Sequence, residues 1–181
     1  MHNAPRRTRK AAILALLSAV LAPAALGVGS QSASAEPSDH VNGSYIECGD
    51  HLWDARWNID DTDPHIAYSG YWRAQAPMQG QWWGTHHITN EGGAKASFQL
   101  PYGAYYFALG FTKMRNAGLA AIYYNGQLIR ELDMYAPVNV ADCALVFETL
   151  PPGTLTVKAV NRKNPASGGT NVNVDYVHYE T

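Results

Sequence analysis

Leu119–Asp133 reads LAAIYYNGQLIRELD, two runs of β-forming residues on either side of Asn125-Gly126. Asn-Gly accepts positive φ at both central positions of a type I′ turn, the turn whose twist suits paired antiparallel strands. The stretch is predicted to be a β-hairpin, and the same pattern extends in both directions from it. Strand-like runs recur over Ser44–Cys48, His65–Ser69, Trp82–Thr89, Lys95–Leu100, Ala104–Gly110, Leu119–Tyr124, Leu128–Asp133, Ala144–Glu148, Thr154–Val160 and Asn171–Tyr179. Gly, Pro, Asn and Asp clusters separate them, as an antiparallel sandwich or barrel requires. Leu150–Gly153 (LPPG) punctuates before TLTVKAV, where Leu155, Val157 and Ala159 alternate with Thr156, Lys158 and Val160. Near the end, Val172, Val174, Tyr176 and His178 share one face, and Asn173, Asp175, Val177 and Tyr179 the other. Almost nothing reads as helix, and neither an internal repeat nor a second domain is visible.

The start of the chain reads as an address. Arg6, Arg7, Arg9 and Lys10 precede an apolar run, Ala11–Val28, and Gly29–Ala35 ends in Ala33-Ser34-Ala35. This is the three-part layout of a secretory signal peptide, cleaved after Ala35. The run approaches membrane-spanning length, but Pro23 and the Ala-Ser-Ala site favour cleavage over an anchor. The expected organisation is a signal peptide over residues 1–35, a polar leader over 36–43 and one all-β sandwich over 44–181. The product is expected to be secreted, extracellular and free of the membrane.

Four of the 13 Lys and Arg residues lie in the signal, which carries no acid, so nine remain against 15 Asp and Glu, a net charge near −6. A dispersed negative charge offers no phosphate-neutralising surface, which argues against nucleic acid. It equally disfavours docking to anionic lipid. Cys48 and Cys143 are the only cysteines. In an exported protein they are most simply one disulfide, closing a loop for which the chain-entropy argument gives ~4–5 kcal/mol.

Several of these pieces, in this order, look familiar. Asp60–Trp72 (DDTDPHIAYSGYW) resembles the opening "D-D-x-x-x-x-I-x-Y-S-G-x-W" of secreted jelly-roll modules appended to bacterial glycoside-active enzymes. Gly84–Leu100 (GTHHITNEGGAKASFQL) is similar to their "G-T-x-H-x-S/T" strand pair, and YYNGQLIRELDMYAP to their "D-G" hairpin. LPPGTLTVKAV and NPASGGTNVNVDYVHYE resemble the two closing segments. The group is the galactose-binding-domain-like β-sandwich, to which many carbohydrate-binding modules belong. The resemblance covers roughly residues 58–180 and implies an antiparallel jelly-roll β-sandwich. It says less about function, because this fold hosts lectins, enzyme appendages and adhesion domains alike. Tyr124 departs from the usual pair before Asn125-Gly126, and Thr154 stands where His is common. Several modules of this fold hold a structural Ca²⁺ between an early acid and an Asp of the last strand. Glu47 and Asp175 would fill those roles, and no other cofactor is implied.

The residues themselves favour binding over catalysis. There is no G-x-S-x-G elbow, no H-E-x-x-H and no phosphate-cradling glycine loop. No carboxylate pair stands out for glycoside hydrolysis. His86 and His87, adjacent on a strand, leave opposite faces and do not share an ion. Asp60–Asp63 (DDTD) has the oxygen-rich chemistry of a calcium loop but reads as a turn whose carboxylates cap backbone amides.

The aromatic residues carry more. All five tryptophans, Trp53, Trp57, Trp72, Trp82 and Trp83, fall within one short span. Sugar rings stack their C–H faces on exposed aromatic planes, with amides, carboxylates and histidines bonding the hydroxyls. On a strand over Trp82–Thr89, Trp82, Gly84, His86 and Ile88 share the more apolar face, expected inward. Trp83, Thr85, His87 and Thr89 share the other, either as a buried polar cluster or as a shallow groove. Trp83, His87, Trp72, Tyr102, Tyr105, Arg162 and Asn164 are the candidate ligand-binding residues. The reading is a secreted, non-catalytic, lectin-like protein that binds a polysaccharide or cell-wall glycan, with its oligomeric state open. The rivals are a protein-interaction module (an inhibitor or adhesin) and a small secreted hydrolase.

Overall fold

Asn125 and Gly126 take φ of 48° and 79°, so the hairpin closes through the two positive-φ residues that a type I′ turn demands. The computed structural model describes residues 43–49, 58–75, 81–148 and 150–181, the side chain of Trp82 excepted, all within the unit Ala35–Thr181. The expected signal peptide, the leader up to residue 42, and Trp53 and Trp57 lie outside the described residues. In chain order the strands are β1 (Ser44–Cys48), β2 (Asn58–Asp60), β3 (Ile66–Ser69), β4 (Arg73–Gln75), β5 (His86–Thr89), β6 (Lys95–Gln99) and β7 (Tyr106–Lys113). They continue as β8 (Leu119–Tyr124), β9 (Gln127–Asp133), β10 (Val140–Phe147), β11 (Thr154–Ala159), β12 (Val172–Val174) and β13 (Tyr176–Glu180).

These strands form an antiparallel jelly-roll β-sandwich. One sheet has the order β1-β10-β7-β13-β2, the facing one β3-β6-β11-β8-β9, and a short third sheet β12-β5-β4. Alternation dictates the packing. On β11, Leu155, Val157 and Ala159 are buried while the intervening threonines and Lys158 stay half-buried. Phe98 of β6 meets Phe107 of β7 at 6.3 Å and Tyr179 of β13 at 6.0 Å between ring centres, so the two large sheets share one core. Burial of each such Phe, Leu or Ile contributes about 1.5–3 kcal/mol. Beside the core, Tyr176 packs so closely that a Cβ on Gly110 would meet its ring at 2.3 Å.

The disulfide forms as expected. Cys48 and Cys143 are directly opposite in the β1–β10 ladder, 4.0 Å apart at Cα, which fastens the edge strand to its neighbour.

Two expectations change, and two short strands are added. Residues 82–89 are not one strand: Trp82–Gly84 is a 3-10 turn in which Trp83 has φ 47° and ψ 14°, and β5 begins only at His86. The run at 171–179 is two strands, because the chain leaves the short sheet after Val174 and joins the large one at Tyr176. There the Asp175 amide donates to the Gly110 carbonyl at 2.9 Å, and the Asn173 side chain bonds both backbone groups of Thr112 at 2.8 Å. Polar residues are thus buried with the apolar ones, which alternation does not foresee. Finally, β2 and β4, three residues each, are too short to carry a periodic signal.

Candidate functional site

The turn between β2 and β3 carries the acidic run, and its members divide. Asp60 Oδ2 accepts from the amide and hydroxyl of Thr62, and Asp63 Oδ1 from the His65 amide at 2.8 Å. These two cap the turn as the sequence suggests. Asp61 points inward and is wholly buried. Its Oδ1 accepts from the Thr85 hydroxyl at 2.8 Å, and its Oδ2 from His87 Nδ1 at 2.6 Å. Burial pushes the Asp61 carboxyl above its ordinary value, against the opposing pull of those two hydrogen bonds.

His87 is placed by β5, paired with Ala74 of β4 on one side and Val174 of β12 on the other. With Nδ1 fastened to Asp61, its Nε2 points away from the carboxylate, and a fifth of the side chain is exposed. Tyr68 of β3 stacks on the imidazole, ring centres 4.5 Å apart and planes at 24°. The Tyr68 hydroxyl donates to the Asp61 carbonyl at 2.8 Å. Burial and the charges of Asp61 and Asp60 hold its phenol far above the usual range, so it remains a neutral donor. Trp72 lies against Tyr68 at 5.2 Å, its indole N–H donating to the Ser69 carbonyl at 3.2 Å. The result is a row, Asp61–His87–Tyr68–Trp72, running from a buried charge to a half-buried indole.

Two exposed rings flank this row in sequence. Trp83 is 71% exposed, held out by a left-handed backbone that a bulky residue rarely adopts, at a cost of about 1–3 kcal/mol. Tyr71 is 61% exposed, and its amide donates to Glu91 Oε2 at 2.7 Å. His86, by contrast, faces inward as expected. It is fully buried beside Gln81, and burial pushes its imidazole down to about 4.

The other expected site residues do not join this group. Tyr102 and Tyr105 are exposed, but Tyr105 bonds Glu180 at 2.7 Å, at the opposite end of β13 from Asp60. Arg162 pairs with Glu131, and Asn164 donates to Asp133 at 2.8 Å. Both anchors belong to β9, across the sheet from β3, about 19 Å away at the usual strand spacing. Glu47 and Asp175 are not brought together either. Glu47 sits in the cross-sheet row Glu47, Ala144, Gly110, Tyr176, three strand spacings or about 14 Å from β13. One ion at 2.3–2.6 Å from each ligand does not fit that pair. Among the described residues no group of three or more His, Cys, Asp or Glu has metal-binding geometry.

Sequence reasoning passed over Asp61, Tyr68 and Tyr71. Asp61 looks like its neighbours in DDTD, and only the fold separates it from them. Tyr68 and Tyr71 lay inside the YSGYW segment read as a signature of fold.

No family model matches the chain, and no characterised protein matches it in sequence. Similar folds occur among solved structures. A xanthan lyase of Paenibacillus shares 18% identity over 64% of this chain and 12% of the lyase, at a TM-score of 0.46. A family 35 carbohydrate-binding module of Clostridium thermocellum shares 17% identity over 68% of this chain and 98% of the module, at 0.42. A two-domain esterase active on acetylated mannans shares 9% identity over 79% of this chain and 38% of the esterase, at 0.48.

Proposed function

We propose that this chain is an exported, non-catalytic glycan-binding protein, and that the ligand lies over the row formed by Trp72, Tyr68 and His87, with Trp83 as its exposed stacking plane. The observation that carries this reading is Trp83, a large apolar ring turned into solvent by an unfavourable backbone, four residues before an imidazole whose outer nitrogen is held in place by a buried carboxylate. A large ring kept mostly exposed on a backbone that costs free energy suits a ligand contact. His87 Nε2 supplies a fixed hydrogen-bonding atom for a sugar hydroxyl, and Tyr71 adds a further plane. The cystine is compatible with an oxidising extracellular setting.

Intrinsic tryptophan fluorescence titrated with plant, fungal and bacterial polysaccharides tests this. A saturable change with one glycan class is expected, and no change across the panel would remove the reading. The His87–Asp61 pair is also the orienting half of a hydrolytic triad. A second reading as an ester hydrolase predicts release of acyl groups, such as acetate, from an acylated polysaccharide, which the binding reading does not.

A further inference from the structure

The outward face of the sheet that holds β6, β11 and β8 has an unusual charge arrangement. The outward residues of β6, β11 and β8 line a groove of about 310 Å³ formed by Lys95, Ser97, Tyr123, Gly126, Thr156 and Lys158. That volume stands near the lower end of the range for ligand sites, about 300–1,000 Å³. In the ladder Lys95 faces Lys158 directly, and in the next outward row Ser97 faces Thr156, which faces Tyr123. The Ser97 and Thr156 hydroxyls lie 2.9 Å apart. Like charges opposite one another across a ladder destabilise it. Among the described residues neither lysine has an ion-pair partner, and the nearby carboxylate of Glu131 is taken by Arg162. Two of only nine cations in residues 36–181 are therefore set side by side, unneutralised, over a floor of hydroxyls and one phenol.

We propose that this face binds a uronate-bearing polysaccharide, the carboxylate of one ring held between Lys95 and Lys158 and its hydroxyls bonded to Ser97, Thr156 and Tyr123. Charge complementarity selects the occupant. One carboxylate per ring, set among hydroxyls, matches two ammonium groups set among hydroxyls. Densely sulfated or phosphorylated chains are disfavoured, because the surface beyond the groove is net acidic and repels them. Protein ligands would find little apolar surface here beyond Tyr123.

Calorimetric titration with oligogalacturonate, and with a neutral oligosaccharide of equal length, tests the assignment on the wild type, K95Q/K158Q and W83A. The wild type is expected to bind oligogalacturonate with an affinity that falls as salt rises from about 20 to 300 mM. K95Q/K158Q should weaken that binding by at least about tenfold, each single variant giving part of the loss, while its melting temperature is maintained or raised. W83A tells the two sites apart: a loss of binding in W83A that K95Q/K158Q does not share would place the oligogalacturonate at the loop aromatics. The proposal is overturned if the wild type ignores oligogalacturonate, if K95Q/K158Q binds it as well as the wild type, or if W83A alone abolishes the binding. Tighter binding of dextran sulfate than of oligogalacturonate would also overturn it, marking a general polyanion surface.

Discussion

On β11, Leu155, Val157 and Ala159 are buried while Thr156 and Lys158 are half-buried; on β5, His86, Ile88 and Thr89 are all buried and only His87 keeps partial exposure. The two strands are centred in their sheets, between β6 and β8 and between β12 and β4, yet they obey different rules. One side of β11 meets the core and the other meets solvent, so its chemistry alternates. Both sides of β5 are largely covered, so its polar residues are held by named partners: His86 beside Gln81, and His87 on Asp61. Covered polar groups depend on such partners, and losing one is expensive. The regular sheet therefore supplies stability and an open face, whereas the short sheet holds an imidazole at a fixed angle beside exposed rings.

Substitutions sharpen this contrast. The largest effect is expected in the shared core. Phe98→Ala should destabilise by about 3–5 kcal/mol, read from chemical denaturation, with glycan affinity retained at temperatures where the variant stays folded. A smaller loss is expected at the junction of the two regions. Asp61→Ala strands the Thr85 and His87 donors, costing about 1–3 kcal/mol, and frees the imidazole to turn. Unlike Phe98→Ala, it should weaken glycan binding even when fully folded. Equal effects of the two variants on binding would erase the distinction.

Acid should act through His86. Its folded-state value lies below the usual 6.5, at about 4, so protonation favours the unfolded chain. Its contribution is complete above pH 6.5 and declines as pH falls toward 4, by up to about 1.4 kcal/mol per unit. Asp61, raised in the fold, acts with the opposite sign, so the wild-type slope is the difference. His86→Gln should remove the imidazole part and flatten the decline in a pH series of melting temperatures; an unchanged slope would show that His86 titrates alike in the folded and unfolded chain. The smallest effect is on the regular sheet's outer face, where Lys158→Gln should stabilise by about 0.2–1 kcal/mol through relief of the facing charge.

Legibility in the sequence follows the same divide. The hairpin at Asn125-Gly126 was readable because the turn's backbone demand selects those residues. The alternation of β11 was readable because solvent touches one face. Trp83 was read on the less apolar face of a strand, as part of either a buried polar cluster or a shallow groove; it is exposed because a left-handed turn holds it out. Strand parity does not apply at that residue. Tyr102, Tyr105, Arg162 and Asn164 share the polar and aromatic chemistry of a binding site, yet the fold spreads them to another end and another edge. Asp61 was illegible among three similar acids, since burial is set by where β2 ends against Asp175. The Glu47–Asp175 pairing fails for an equally long-range reason, the three strand spacings between β1 and β13.

The most direct measurement is the affinity of Trp83→Ala, against wild type, for the glycan that quenches or enhances tryptophan fluorescence, with the melting curve recorded on the same sample. Exposed stacking predicts at least about tenfold weaker binding, with stability unchanged within about 0.5 kcal/mol. Undiminished affinity, or loss of binding only in step with loss of the fold, would contradict a ligand site at Trp83.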